Sequence, residues 1–354
     1  MNMKQRIYYL DNVCCFLIIH MIYTYHIAFI CSIDDIQPTI ISIVRNLFSF
    51  FMSWFFFKGG MTHRIESTTY IIKKGFNRLL IPYLFFLLLG ILLDWMIKCK
   101  QCPNISLVIF VKNEVGMILK NTIVNSTASS WFLLILYITR ILFNFLSCRI
   151  HPLYIAIVSF FSAYAVFVMG NHGFGVYVNI KSIDTQIFFP TFYLGTICHG
   201  LVLYSLGHYL KEKQFQRNIF ILAFLLFILK LLFPSEIDFR INSTVEGNYL
   251  LAVLYGLSGC ILINNIFMRY INRKITLISY IGSNSMVYYL VHYPVMMLIY
   301  LLYWETFINK DYWIKFTLLS LIVTFFMVIA DIIFRKRKLR FIVGGKFCFC
   351  FITL

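Results

Sequence analysis

Apolar runs of roughly twenty residues, separated by short charged loops, recur from one end of this chain to the other. About twenty apolar residues wound as a helix cross the hydrocarbon core of a bilayer, because a helix satisfies every backbone N–H and C=O within itself. The runs cover about 7–30, 39–60, 76–97, 129–147, 153–170, 187–209, 217–234, 248–268, 276–303 and 313–334. They predict an all-α polytopic membrane protein with about ten transmembrane helices. The stretch from Ile105 to Leu119 is too short and too polar to span, and is expected to form an interfacial helix or a loop. Nothing outside the runs is long and mixed enough for a second folded unit. Residues 1–340 therefore read as one integral membrane domain, followed by a short C-terminal tail over 341–354. Composition agrees, with 60% hydrophobic and only 13% charged residues, where soluble domains carry about 25% charged. The first run is too long for a cleaved signal peptide and no small-residue cleavage site follows it.

The net charge of +17 would suit a nucleic-acid partner if it formed one patch, but the basic residues sit in loops between the runs. That placement is the positive-inside pattern and calls for no polyanion. One side collects nineteen Lys and Arg, from Lys4 and Arg6 through Arg64, Lys73, Lys74 and Arg78 to the cluster after Arg335; the other collects seven. The richer side is expected to be cytoplasmic, with both termini on it. Of the ten cysteines, Cys14, Cys15, Cys198 and Cys260 lie inside apolar runs, where cysteine acts as a small hydrophobe. Cys99 and Cys102 form a lone CxxC, open to a structural role or a local disulfide. With no second pair, no metal site is expected.

The first run holds three ionisable residues, Asp11, His20 and His26. Each charged group at mid-membrane costs at least ~2.5–3.5 kcal/mol on insertion scales, so those retained point into protein or a wet cavity. On a straight helix His26 lies about 60° around from Asp11 and ~22 Å along the axis, with His20 on the opposite face. A histidine is a natural general base near neutral pH, and equally a hydrogen-bond partner for a neighbouring helix. Both readings stay open at this point.

Beyond the second run, Lys58 precedes the glycine pair Gly59-Gly60, and Arg64, Lys73, Lys74 and Arg78 complete a basic collar. The collar serves topology and anionic lipid, or docks a phosphorylated donor. Trp131 follows Ser129-Ser130 at a helix start, where it suits an interfacial aromatic belt. His292 stands two residues before Pro294. A proline in a helix leaves a carbonyl without its N–H partner, and a buried imidazole can donate to such a group.

These residues occur in a recognisable order: Arg6 to Asp11, Phe55-Phe-Phe-Lys-Gly-Gly60, Arg78-Leu-Leu-Ile-Pro-Tyr83, Trp131-Phe-Leu133 and Tyr289-Leu-Val-His-Tyr-Pro294. The order resembles acyltransferase family 3, the integral membrane O-acetyltransferases that modify polysaccharides. Two positions depart from that pattern. Cys14 replaces the basic residue expected three after Asp11, and the histidine position fourteen after Asp11 is Tyr25, with His26 one step later. One residue turns a side chain by about 100° on an α-helix. Either a local irregularity restores His26, or the site is altered.

The resemblance implies a multi-pass protein of the bacterial inner membrane, in contact with lipid. It implies acyl-CoA, usually acetyl-CoA, as donor substrate with no bound cofactor, and a carbohydrate or lipid-linked glycan hydroxyl as acceptor. Catalytic candidates are His26, His20 and Asp11; donor-binding candidates are Arg78, Lys58 and Arg6; Trp131 and His292 would be structural or face the acceptor. The competing readings are a transporter or flippase for a lipid-linked sugar and an inactive relative of the enzymes.

Overall fold

The structure, a computed structural model, describes residues 7–33, 35–102, 104, 106–121, 124–171, 175–180, 183–188, 191–238, 244–303, 310–336 and 339–344. Helices dominate it. In chain order they are α1 (Tyr8–Cys31), α2 (Thr39–Met61), α3 (Thr68–Gln101), α4 (Leu107–Asn121), α5 (Asn125–Ser147), α6 (Pro152–Asn171), α7 (Thr191–Leu210), α8 (Arg217–Leu232), α9 (Tyr249–Tyr270), α10 (Thr276–Ser283), α11 (Ser285–Tyr303) and α12 (Tyr312–Phe334). Two short antiparallel hairpins interrupt them: β1 (Gly175–Ile180) with β2 (Ile183–Phe188), and β3 (Glu236–Asp238) with β4 (Thr244–Glu246).

Among the described residues, α1, α2, α3, α5, α9 and α12 are long and apolar enough to cross a membrane, and α6 and α11 contain shorter apolar helices. The ten runs of the sequence map onto these and onto interrupted helices. Run 276–303 is two helices, because Asn284 leaves the helical region (φ −107°, ψ 18°) and its Nδ2 donates to the Tyr280 carbonyl at 2.9 Å. A short polar side chain that bonds its own backbone competes with the helix ladder in this way. Run 39–60 bends at Phe48 (φ −106°, ψ 20°). Run 187–209 opens inside β2, and its helix starts only at Thr191. Neither hairpin was expected, since β1 and β2 fall where the apolar pattern gives way to short mixed segments. The tail read from position 341 opens as a 3₁₀ turn, Arg340–Val343, whose Ile342 is buried in the main core.

Helix α1 lies within the bundle, packed on α10, α9 and α11. Its buried face is Val13, Leu17, Ile18, Met21, Ile22 and Ile27. At Gly282 in α10 any Cβ would run into the backbone of Asp11, so glycine is what allows this contact. Asn12 closes the same junction: Nδ2 donates to the carbonyls of Ile271 (2.7 Å) and Arg273 (3.1 Å), and Oδ1 accepts from Ser279 Oγ (2.7 Å). Between α2 and α7 the glycines are reciprocal. A Cβ at Gly207 would strike the Phe57 carbonyl, and one at Gly60 would strike that of Tyr204. Trp54 Nε1 donates to Asn264 Oδ1 at 2.9 Å, and Asn264 Nδ2 donates to Gln214 Oε1 at 3.0 Å, which leaves the indole satisfied in the core.

Past the end of α2, His63 sits in a network whose proton positions can be derived. Asn144 Nδ2 donates to the Glu66 carbonyl at 2.9 Å, so Oδ1 is the acceptor. Oδ1 takes the Glu66 N–H (3.2 Å) and His63 Nε2–H (3.1 Å). His63 Nδ1 must then accept from the Tyr204 hydroxyl, 2.8 Å away. Burial pushes the His63 pKa down to about 4, and the hydrogen bond to Asn144 only partly opposes this.

Two stability tests follow from this packing. Gly207→Ala should destabilise by about 1–3 kcal/mol, the usual penalty for overpacking. Gly116→Ala on α4, with nothing within 4 Å of the new Cβ, should be neutral or stabilising by up to about 1 kcal/mol; thermal unfolding in detergent compares the two. The unfolded chain protonates His63 near 6.5, and the folded chain only near 4. Stability is therefore complete above pH 6.5 and falls as the pH drops toward 4, by an amount on the order of 3 kcal/mol. The thermal midpoint should drop over that window in the wild type, and less in His63→Gln.

Candidate active site

From His20 to Ile27, α1 is wound as a π-helix. The Ala28 N–H reaches back five residues to the Tyr23 carbonyl, the wider repeat that accommodates one extra residue in an α-helix. One extra residue turns all that follows by about 100°, the size of the offset between Tyr25 and His26. The straight-helix angles drawn from the sequence therefore end at His20. Beyond it the π segment directs Met21, Tyr25 and His26 toward a cavity of about 350 Å³.

Five parts of the fold wall this cavity. They are α1, the Arg45–Met52 region of α2, the start of α5 at Ala128, Ser129 and Trp131, the β3–β4 hairpin, and α11 with Tyr289, Tyr293, Met296, Met297 and Tyr300. The walls are chiefly aromatic and aliphatic, with Arg45, Glu236 and Glu246 as the charged lining and His26 as the histidine. A small number of polar groups in a largely apolar concavity of this volume is the usual form of a ligand site.

His26 Nδ1 lies 2.9 Å from His292 Nε2, with the two rings stacked at 20° and their centroids 5.0 Å apart. His292 is fully buried, and its Nδ1 is 3.1 Å from the Tyr288 carbonyl. A carbonyl can only accept, so His292 carries its proton on Nδ1 and presents a lone pair at Nε2. His26 must then donate from Nδ1, which puts its own lone pair on Nε2. The chain of bonds thus sets the tautomer of the neutral His26 ring. The carbonyl that orients His292 belongs to Tyr288, one helical turn back. It is not the Leu290 carbonyl that Pro294 deprives of its N–H.

The wall at α5 is built from a 3₁₀ turn, Asn125–Ser130, in which Thr127 departs from helical geometry (φ −134°, ψ 32°). Buried Asp94 of α3 holds this turn by accepting from the Ser126 N–H (3.2 Å) and from its hydroxyl. The turn in turn accepts the Tyr289 hydroxyl at the Ser129 carbonyl. Thus α3, α5 and α11 are pinned around the cavity by side chains of three different segments.

Of the residues singled out in the sequence, the structure brings His26, His292 and Trp131 to this site. His20 is buried elsewhere, edge-on to Phe48 (5.4 Å) and Phe51 (5.8 Å). Asp11 lies at the α10 junction. Lys58 lies over the Trp54 ring, 5.1 Å from its centre, and Arg78 is exposed in a second π turn, Phe76–Leu80. Neither lines the cavity. Arg6 lies outside the described residues. Sequence reasoning missed Arg45, Glu236, Glu246 and Tyr293 as cavity residues. The acidic pair was visible only as loop charge, and Tyr293 only as the variable position between His292 and Pro294.

A family model described as an acyltransferase domain matches residues 7–334. The chain belongs to acyltransferase family 3, and is a membrane acyltransferase by family, with several helices fit to span a bilayer. No curated protein and no solved structure matches it.

Tyr289→Phe removes the buried hydrogen bond from its hydroxyl to the Ser129 carbonyl. It should lower stability by about 0.5–1.5 kcal/mol, read as a fall in the thermal midpoint relative to wild type.

Proposed function

We propose that this protein moves an acyl group, acetyl in the simplest case, from acyl-CoA to a hydroxyl of a cell-surface or exported carbohydrate. The observation that carries the reading is the oriented His26–His292 pair on the wall of the cavity. Deprotonating a sugar hydroxyl needs a base that presents its lone pair to the reacting atom, and the derived tautomer of the neutral ring places that lone pair on His26 Nε2. His292 plays the third part of a triad, holding the tautomer and sharing the charge that develops.

The cavity suits a sugar. Its aromatic faces offer stacking surface for the C–H face of a pyranose, and Glu236, Glu246 and Arg45 offer acceptors and donors for hydroxyls. The basic residues Lys58, Arg64 and Arg78 lie on the side that the Lys and Arg distribution makes cytoplasmic. They form the anchoring surface for the phosphates of CoA, whose long pantetheine arm carries the thioester inward. The protein thus works from the inner membrane of a bacterium, with donor and acceptor approaching from opposite sides.

The test measures CoA release from acetyl-CoA by the purified protein, alongside thermal stabilisation by acetyl-CoA, which reports binding to the native state. Wild type should show both. His26→Ala should lose about 10²–10⁴-fold in rate while keeping its thermal midpoint, and His20→Ala should keep the rate within several-fold. A folded wild type with neither stabilisation nor CoA release would overturn the reading in favour of sugar transport or an inactive relative. Loss of activity in His20→Ala with retention in His26→Ala would reassign the base.

A further inference from the structure

Acyl transfer from a thioester passes through a tetrahedral oxyanion, and a base alone leaves that charge without support. Donors aimed at the oxygen are commonly the largest single contribution to such catalysis. The cavity holds a group suited to the task that the sequence pattern leaves unassigned. Tyr293 lines the cavity, and its ring meets that of His26 edge-on, with centroids 5.4 Å apart and planes at 84°. It follows His292 directly on α11, so the hydrogen-bonded pair that fixes His26 also fixes the backbone carrying this phenol.

Two other tyrosine hydroxyls on α1 and α11 are committed. Tyr289 donates to the Ser129 carbonyl, and Tyr23 exchanges a 2.5 Å hydrogen bond with Thr324 Oγ1. Tyr293 makes ring contacts with His26 and His292, and among the described residues its hydroxyl has no hydrogen-bond partner. A buried or half-buried tyrosine normally finds a partner for its O–H. Here the available partner is whatever occupies the cavity beside His26.

We infer that Tyr293 is the oxyanion donor of the acyl-transfer step, an assignment that rests on the acyltransferase reading of the His26 cavity. As the acceptor oxygen attacks the thioester carbon, His26 Nε2 takes its proton, a C–O bond forms, and the carbonyl electron pair moves onto oxygen. The Tyr293 O–H donates to that oxygen. Collapse re-forms the C=O bond and breaks the C–S bond. The thiolate leaves as free CoA thiol with the proton that His26 carried. The phenol keeps its own proton throughout. A reacting atom about 3 Å from both base and donor is the arrangement such a site requires, and the cavity that His26 and Tyr293 both line is where that atom would sit.

The experiment is Tyr293→Phe, which keeps the ring and its contact with His26 and removes only the hydroxyl. With acetyl-CoA as donor and CoA release as readout, kcat should fall about 10²–10³-fold, with KM for acetyl-CoA and the thermal midpoint unchanged. An unaltered kcat, or a raised KM with unaltered kcat, would overturn the assignment while leaving the acyltransferase reading intact. A loss of rate that tracks a lower thermal midpoint would also overturn it, since that marks a structural role. Absence of CoA release and of acetyl-CoA binding in the wild type itself would overturn the function, and the assignment with it.

Discussion

A helix in hydrocarbon has to close every backbone hydrogen bond within itself, and α1 meets that demand while accommodating an extra residue. The π segment from His20 to Ile27 is the means. It absorbs the insertion without exposing an N–H or C=O to lipid, and it turns the C-terminal part of α1 by about one residue's rotation. His26 thereby meets His292 on α11 while Asn12 and the Gly282 contact hold the other end of α1 against α10. Interhelical polar contacts in membranes average only about 0.6 kcal/mol by double-mutant cycles. Their contribution is geometric: they select one rotation of α1 among several that apolar packing alone would tolerate.

The same division between packing and polar specification holds around the cavity. Methionines and aromatic rings fill most of its wall, and three polar contacts decide where those rings stand. Asp94 holds the 3₁₀ turn before Trp131, that turn receives the Tyr289 hydroxyl, and Tyr288 orients His292. Away from the cavity lining, Lys315 is fully buried on α12 and pairs with Asp35 at 2.8 Å, which ties the segment after α1 to α12. An uncompensated charge in that position would be strongly destabilising.

Much of this could be read in the chain. The apolar runs marked the helices, and the ordered motifs from Arg6 to Pro294 pointed to the family to which the chain proves to belong. The same runs misled where the backbone leaves helical geometry inside them. Asn284 splits one run into α10 and α11, and Phe48 marks a bend in another. Of the candidate residues, His26 and His292 were legible because an imidazole is conspicuous in an apolar run. Tyr293, Glu236 and Glu246 were not, because tyrosine is common in this chain and loop carboxylates have an ordinary explanation in solvation.

The amino-acid sequence by itself determined that this chain enters a membrane, roughly where its helices run, and which family it joins. Those outcomes depend on local composition, and hydrocarbon enforces them segment by segment. Only the tertiary structure decided which face of α1 lines the cavity. A helical wheel assumes one uniform twist, and the twist changes at His20. It likewise took the packed bundle to show that His26, His292 and Tyr293, some 270 residues apart in sequence at the extremes, share one cavity, while His20, six residues from His26, is enclosed by phenylalanine rings. Sequence neighbours on a helix part company whenever its winding changes, and distant residues meet only when several helices have fixed one another's rotation.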